Sequence, residues 1–184
     1  NKAITLGSDN AMSGNITVST LGTTGNVTID NGTTALGIQG TVNGALDLTA
    51  GAAITDSSTL TVSGASDFTI DTGSNHITLG TAALTGAIGV STTGTSNFTL
   101  DNITTAVNLG TVGVTGALSV TSGEAITDSG VITVTTTSSF TTDVNNKAIT
   151  LGSDNAMSGN ITVSTLGTTG NVTIDNGTTA LGIQ

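Results

Sequence analysis

Proline, cysteine, tryptophan, tyrosine and arginine are all absent from these 184 residues. Without cysteine the chain forms neither disulfide staples nor thiolate metal sites. Basic residues are nearly missing too. Lys2 and Lys147 stand against twelve carboxylates, for a formal charge of −10. Such a chain has nothing with which to displace counterions from a phosphate backbone, which excludes a nucleic-acid binder. It is equally unsuited to docking on anionic membrane surfaces. The charge serves solubility and mutual repulsion. No apolar run reaches the roughly 18 residues of a spanning helix. The opening residues carry no signal-peptide pattern, so any export signal is expected outside this stretch.

Thr is the commonest residue and Gly supplies 26, with 35% hydrophobic residues, 8% charged and a mean hydropathy of +0.28. Disordered chains combine low hydrophobicity with high charge, and this chain does the opposite. A Thr-, Val- and Ile-rich sequence punctuated by Gly favours strands. The organising feature is a repeat. Residues 1–39 and 146–184 are identical letter for letter, so the chain holds one 145-residue period and the start of the next. Repeats decide the architecture before any local pattern does. The expected organisation is one solenoid segment over 1–184, cut from a longer array, with no domain boundary. A diverged repeat lies inside the period. NVTIDNGTTALGI (Asn26 to Ile38) matches NFTLDNITTAVNL (Asn97 to Leu109), and AITDS recurs at Ala53 and Ala125. The period therefore divides into two diverged halves, about 1–74 and 75–145.

Within each half, apolar and polar residues alternate in short runs such as Ile4-Thr5-Leu6, Val27-Thr28-Ile29 and Leu60-Thr61-Val62. Period-2 alternation sends the flanking apolar pair to one face and Thr to the other. Ile4, Leu6, Val27, Ile29, Leu46, Leu48, Leu60, Val62, Phe68 and Ile70 are expected inward, and Thr5, Thr28, Thr61 and Thr69 outward. Gly, Asn, Asp and Ser supply the turns between runs. Runs follow one another too evenly for hairpins joined by tight turns. An all-β parallel β-helix explains the spacing. Two principal strands per coil, setting the short AITDS run aside, give coils of roughly 20 residues, as in other stacked-repeat architectures. On that count a period holds about seven coils and a half-period three and a half.

The runs GALDLTAGAAITDSSTLTVSGASDFTI (Gly44 to Ile70) and GALSVTSGEAITDSGVITVTTTSSFTT (Gly116 to Thr142) resemble the repeats of filamentous-haemagglutinin-type exoproteins. That resemblance covers essentially the whole chain. It implies a right-handed parallel β-helix, export by two-partner secretion, and an adhesin of the bacterial cell surface. It carries over no functional residue.

Candidate chemistry falls on repeated positions. Asp30 matches Asp101, Asp56 matches Asp128, and Asp71 matches Asp143; carboxylates that recur every half-period are expected to accept backbone N–H bonds in turns rather than to catalyse. His76 stands alone, without the partners a zinc site requires, and is expected at an exposed strand edge. Sugar-cleaving sites want aromatic platforms and a proton shuttle, which this composition lacks. Calcium is the one ion its oxygen ligands admit, although no Gly-Gly-x-Gly-x-Asp repeat is present. Asn15, Asn26, Asn31, Asn97 and Asn102 open Asn-x-Thr triplets, as chance alone provides in a chain this rich in Thr. Hydroxyl pairs at Thr17/Ser19, Thr61/Ser63 and Thr133/Thr135 resemble ice-binding faces, but the neighbouring strands carry Thr28/Asp30 and Thr78/Gly80. No catalytic, cofactor or metal residue is therefore assigned, and the chain is expected not to be an enzyme. The expectation is an extracellular structural or adhesive rod whose partners are its own neighbouring repeats and an unspecified receptor. The alternatives are a filament subunit stacking end to end, laterally or axially self-associating, and a calcium- or ice-binding solenoid.

Overall fold

The computed structural model describes residues 2–184, with Asn1 outside the described residues. Nine coils stack along one axis. Coil one is β1 (Ile4–Leu6) and β2 (Asn15–Ser19); coil two is β3 (Val27–Asp30) and β4 (Leu36–Val42); coil three is β5 (Leu46–Ala50) and β6 (Ile54–Val62). Coil four holds β7 (Ser66–Ile70) and β8 (Ile77–Leu84), coil five β9 (Ala87–Ser91) and β10 (Phe98–Asn102), and coil six β11 (Val107–Val114) and β12 (Leu118–Ser122). Two coils have a broken strand: coil seven, with β13 (Ile126–Asp128), β14 (Ile132–Val134) and β15 (Ser138–Asn145), and coil eight, with β16 (Ile149–Leu151), β17 (Ala156–Met157) and β18 (Asn160–Leu166). Coil nine is β19 (Val172–Ile174) and β20 (Gly182–Ile183).

Every pairing is parallel and joins one coil to the next. Sheet A runs β1-β3-β5-β7-β9-β11-β13-β16-β19, with β14 and β17 extending it, and sheet B runs β2-β4-β6-β8-β10-β12-β15-β18-β20. Ile4 and its copy Ile149 lie seven steps apart on sheet A, so one period is seven coils, as the alternation and spacing led us to expect. The first AITDS run does not stand apart as a minor strand, whereas the second forms the separate short strand β13. Ile54 opens β6 and pairs with Leu36 and Ile77, and a bulge joins it to Leu60 through Val62.

The half-period of three and a half coils has a geometric consequence. An odd number of half-coils moves a matched residue to the opposite sheet. Leu46 in β5 lies on sheet A and Leu118 in β12 on sheet B; Phe68 and Phe140, or Ile54 and Ile126, divide the same way. The rod therefore has approximate twofold screw symmetry, and its two faces repeat each other half a period apart.

The core follows the alternation. Val27, Ile29, Leu46, Leu48, Leu60, Val62, Phe68 and Ile70 are buried, while Thr28, Thr61 and Thr69 are partly exposed on the outer faces. Leu6 departs from expectation at 37% exposure, because among the described residues β1 is paired on one side only, by β3. Ile4 is likewise only partly buried. Each internal Leu or Ile contributes roughly 2–5 kcal/mol relative to Ala. Stability is thus spread along the axis as contacts between neighbouring coils.

Candidate functional surfaces

Period-2 parity does more than place the aliphatics. Continuing inward through Val27 and Ile29, it reaches Asn31; through Phe98 and Leu100 it reaches Asn102. Both asparagines are fully buried. The Met12 N–H donates to Asn31 Oδ1 at 2.9 Å, and Asn31 Nδ2 donates to the carbonyls of Met12, Thr34 and Ala35. Asn102 repeats the arrangement, taking the Leu84 N–H at 2.7 Å and donating to the carbonyls of Leu84, Thr105 and Ala106. Asn176 brackets Met157 in the same manner. Each amide engages both backbone groups of one residue in the coil below, extending the parallel ladder around a corner where the main chain turns away. Only a side chain with donor and acceptor on one planar group does this. The first residues of two Asn-x-Thr triplets, Asn31 and Asn102, are therefore buried bracing groups rather than surface acceptors. The signal was present in the inward parity of the shared Asp-Asn-x-Thr-Thr pattern.

The repeated aspartates divide into four kinds. Asp56 and Asp128 reach the coil above. Asp56 accepts from the Gly80 and Thr81 N–H groups at 2.8 and 2.6 Å, and Asp128 from those of Gly152 and Ser153 at 2.8 and 3.2 Å. They are clamps between coils rather than caps of their own turns, and the matched pair plays one role on opposite sheets. Asp30 is a local turn acceptor, taking the Gly32 N–H at 2.9 Å, where Gly32 has a φ of 52°. Its counterpart Asp101 does not do the same. Ile103 replaces the glycine, Asp101 Oδ1 is buried without a partner, and burial raises its pKa, helped by Asp143 and Asp56. Asp71 and Asp143 are exposed. Asp47 and Asp67, not singled out by the repeat comparison, face each other in register across β5 and β7. Burial raises the Asp47 pKa, and the Asp67 charge adds to it.

His76 is exposed at the strand edge, and its Nδ1 accepts the Asn97 N–H at 3.0 Å. Asn97 Oδ1 in turn takes the Ala117 N–H, and Asn26 Oδ1 that of Ala45. These residues stitch one coil entry to the next. Among the described residues no three His, Asp or Glu side chains gather where a metal ion could sit.

The outer hydroxyls form columns. On sheet B, Thr55, Thr78, Thr99, Ser119, Ser139 and Thr162 succeed one another in register over six coils. Beside them Thr121, Thr141 and Ser164 make a second column over three coils. Sequence order concealed this, because strands consecutive in the chain lie on opposite sheets. Thr28/Asp30 lies on sheet A and does not interrupt this face, but Thr78/Gly80 does: Gly80 in β8 and Asp101 in β10 take the second slot on sheet B, so paired hydroxyls stack only over coils six to eight.

Fold and surfaces together define a parallel β-solenoid built from tandem repeats. The chain belongs to the family described as "Repeats of unknown function (DUF5649)", whose pattern matches residues 24–91 and again 95–164. The second match begins half a period after the first, so one family unit corresponds to one half-period of the rod. No curated protein and no solved structure matches the chain.

Proposed function

We propose that this chain is a stretch of an extracellular rod, displayed on or around a bacterial cell, whose work is to span distance and to adhere. The observation that carries the reading is the seven-coil period: identical sequence returns to the identical sheet and register, so periods add without limit. Each period advances the rod by about 34 Å at the usual strand spacing. Support for surface display comes from the resemblance to filamentous-haemagglutinin-type repeats and from an acidic, cysteine-free, hydroxyl-lined exterior. In this reading the rod is not an enzyme. Asp56, Asp128 and Asp30 are occupied as coil clamps and a turn acceptor, and Asp101 and the facing pair Asp47 and Asp67 have, among the described residues, no third carboxylate or histidine gathered beside them. Immunogold labelling of intact producing cells, with imaging of the labelled material, tests it. Rods outside the cell with the stated axial repeat are expected; label confined to the interior overturns the proposal. Incubation with acidic and neutral polysaccharides should leave them uncut.

The three-coil patch of paired hydroxyls favours a second reading, binding to an ordered hydroxyl lattice such as ice. Inhibition of ice recrystallisation, lost in a Thr141→Val/Thr121→Val chain, would support it over the plain rod.

A further inference from the structure

The two halves of the period place matching strands on opposite sheets, and the outer faces of those strands have diverged in step. On sheet B the outward pairs are Ser119/Thr121 in β12, Ser139/Thr141 in β15 and Thr162/Ser164 in β18, in register over coils six to eight. Half a period earlier, on sheet A, the matching pairs are Asp47/Thr49 in β5, Asp67/Thr69 in β7 and Gly89/Ser91 in β9, again in register. The second column is hydroxyl on both faces. The first reads Ser, Ser, Thr on sheet B and Asp, Asp, Gly on sheet A. These differences belong together: a Cβ on Gly89 would run into Asp67 Oδ1, so the glycine makes room for the carboxylate leaning over it. Asp47 and Asp67 are both exposed. The neutral patch is bounded on both sides. Asp101 stands beside Thr121 in the coil below, and in the coil above Gln39 donates to Thr17 Oγ1, the copy of Thr162.

From this divergence we infer that the rod docks on ice through sheet B alone, by one neutral patch in every period, and that Asp47, Asp67 and Gly89 hold the equivalent stretch of sheet A off it. This rests on the lattice reading given above and names both its partner and its side. The patch sets six hydroxyls about 4.8 Å apart along the axis and about 6.7 Å apart across it, on a rigid ladder. Docking on a glycan would exchange bonds to water for bonds to other hydroxyls, with little net gain. No aromatic side chain is exposed to add to it, since Phe68, Phe98 and Phe140 are all buried. Docking on ice removes no water, because the waters that the columns order become lattice waters themselves. An exposed carboxylate opposes such order, since stripping a charge of its own water is costly. Seven coils return the chain to the same sheet, so successive patches share one side of the rod about 34 Å apart. Their contacts add as multivalent binding, while the acidic stretches on the opposite side keep one rod from bridging two crystals.

Slow growth of an ice front through a solution of the full chain, followed by assay of the protein held in the ice, tests this. Wild type should be retained. A Ser119→Asp/Ser139→Asp/Thr162→Gly chain, which puts the sheet A pattern on sheet B, should be excluded like any non-binding protein. Adding Asp47→Ser/Asp67→Ser/Gly89→Thr to that chain should restore retention from the opposite side, which also shows the fold intact. Wild type excluded from ice overturns both the lattice reading and this inference. Retention of wild type and of the sheet B swap alike overturns the inference alone. So does a rescue chain that keeps its β spectrum and melting midpoint yet stays excluded. Wild type held equally by microcrystalline cellulose, and released by the same swap, would make a glycan the partner and overturn ice. Concentration-dependent self-association lost in that swap would do the same in favour of a second copy.

Discussion

Leu6 and Leu151 occupy the same place in the same 39-residue sequence, yet one is 37% exposed and the other fully buried. At the far end the contrast reverses: Val27 and Ile38 are buried, while their copies Val172 and Ile183 are 42% and 51% exposed. Local sequence is held constant, so the difference belongs wholly to the neighbouring coil. Strand formation needs only the alternation, which both copies share. Burial needs a coil above and a coil below. A solenoid of this kind has no centre, and position along the axis decides what a substitution costs.

Breaking a brace should show the largest contrast. Asn102→Leu, in coil five, strands the N–H of Leu84 and takes the side-chain donor from the Ala106 carbonyl, while the Leu84 carbonyl keeps the Thr105 hydroxyl and the Thr105 carbonyl keeps the Ser122 hydroxyl; each unsatisfied buried group costs about 1–3 kcal/mol. Denaturant titration should therefore find a loss of roughly 2 kcal/mol or more. Asn176→Leu removes the same bonds from coil nine, which in a chain of these 184 residues is packed on one side only, and hydrogen exchange on that chain should report opening of coil nine alone. Equal global losses at both sites would contradict nearest-neighbour stability.

Next in size is the matched pair Ile38→Ala and Ile183→Ala. The first empties a site packed on both sides and should cost about 2–5 kcal/mol. The second trims a side chain already half in water, and should shift the unfolding midpoint by no more than a surface substitution, within about 0.5 kcal/mol.

The two halves offer a subtler comparison. Asp56→Asn and Asp128→Asn each weaken one clamp on two N–H groups, on opposite sheets, and should lose similar amounts, about 1–2 kcal/mol. A large loss in one and none in the other would break the screw equivalence of the faces.

The smallest effect has the opposite sign. Asp47 and Asp67 are like charges in direct register, an arrangement that destabilises by a few tenths of a kcal/mol up to about 1. Asp47→Asn should therefore raise the midpoint slightly at pH 7. Because the folded-state pKa of Asp47 is raised, its protonated form favours folding. That contribution is fully present below the unfolded carboxylate range and is lost as pH rises through the raised value. The advantage of Asp47→Asn over wild type should accordingly shrink on acidification, as thermal melts at several pH values would show.

Much of this architecture was legible in the residues. Alternation identified Leu46, Leu48, Phe68 and Ile70 as inward, and the exact return of the sequence after one period, divided by coil length, led to seven coils. Three features were hidden, each because it depends on which strands become neighbours. The first AITDS looked like a minor run because its bulged continuation into Thr59 through Val62 is invisible until β4 and β8 flank it. The hydroxyl columns were obscured because β12, β15 and β18 are not consecutive in the chain. Asn31 and Asn102 were passed over in favour of the adjacent aspartates, although inward parity already pointed to them. Matching residues also do not guarantee matching roles. Asp101 aligns with Asp30 yet lacks its turn bond, since Ile103 stands where Gly32 adopts a left-handed backbone.

Every one of these comparisons depends on a period of seven coils that returns the chain to the same face. With no native cysteine to interfere, spin labels at Thr5→Cys and Thr150→Cys report it directly through their dipolar coupling. Both positions are exposed on sheet A. A seven-coil period predicts a single separation of about 34 Å, parallel to the axis. A distance displaced by a full coil spacing, about 5 Å, or a second population across the rod, would contradict it.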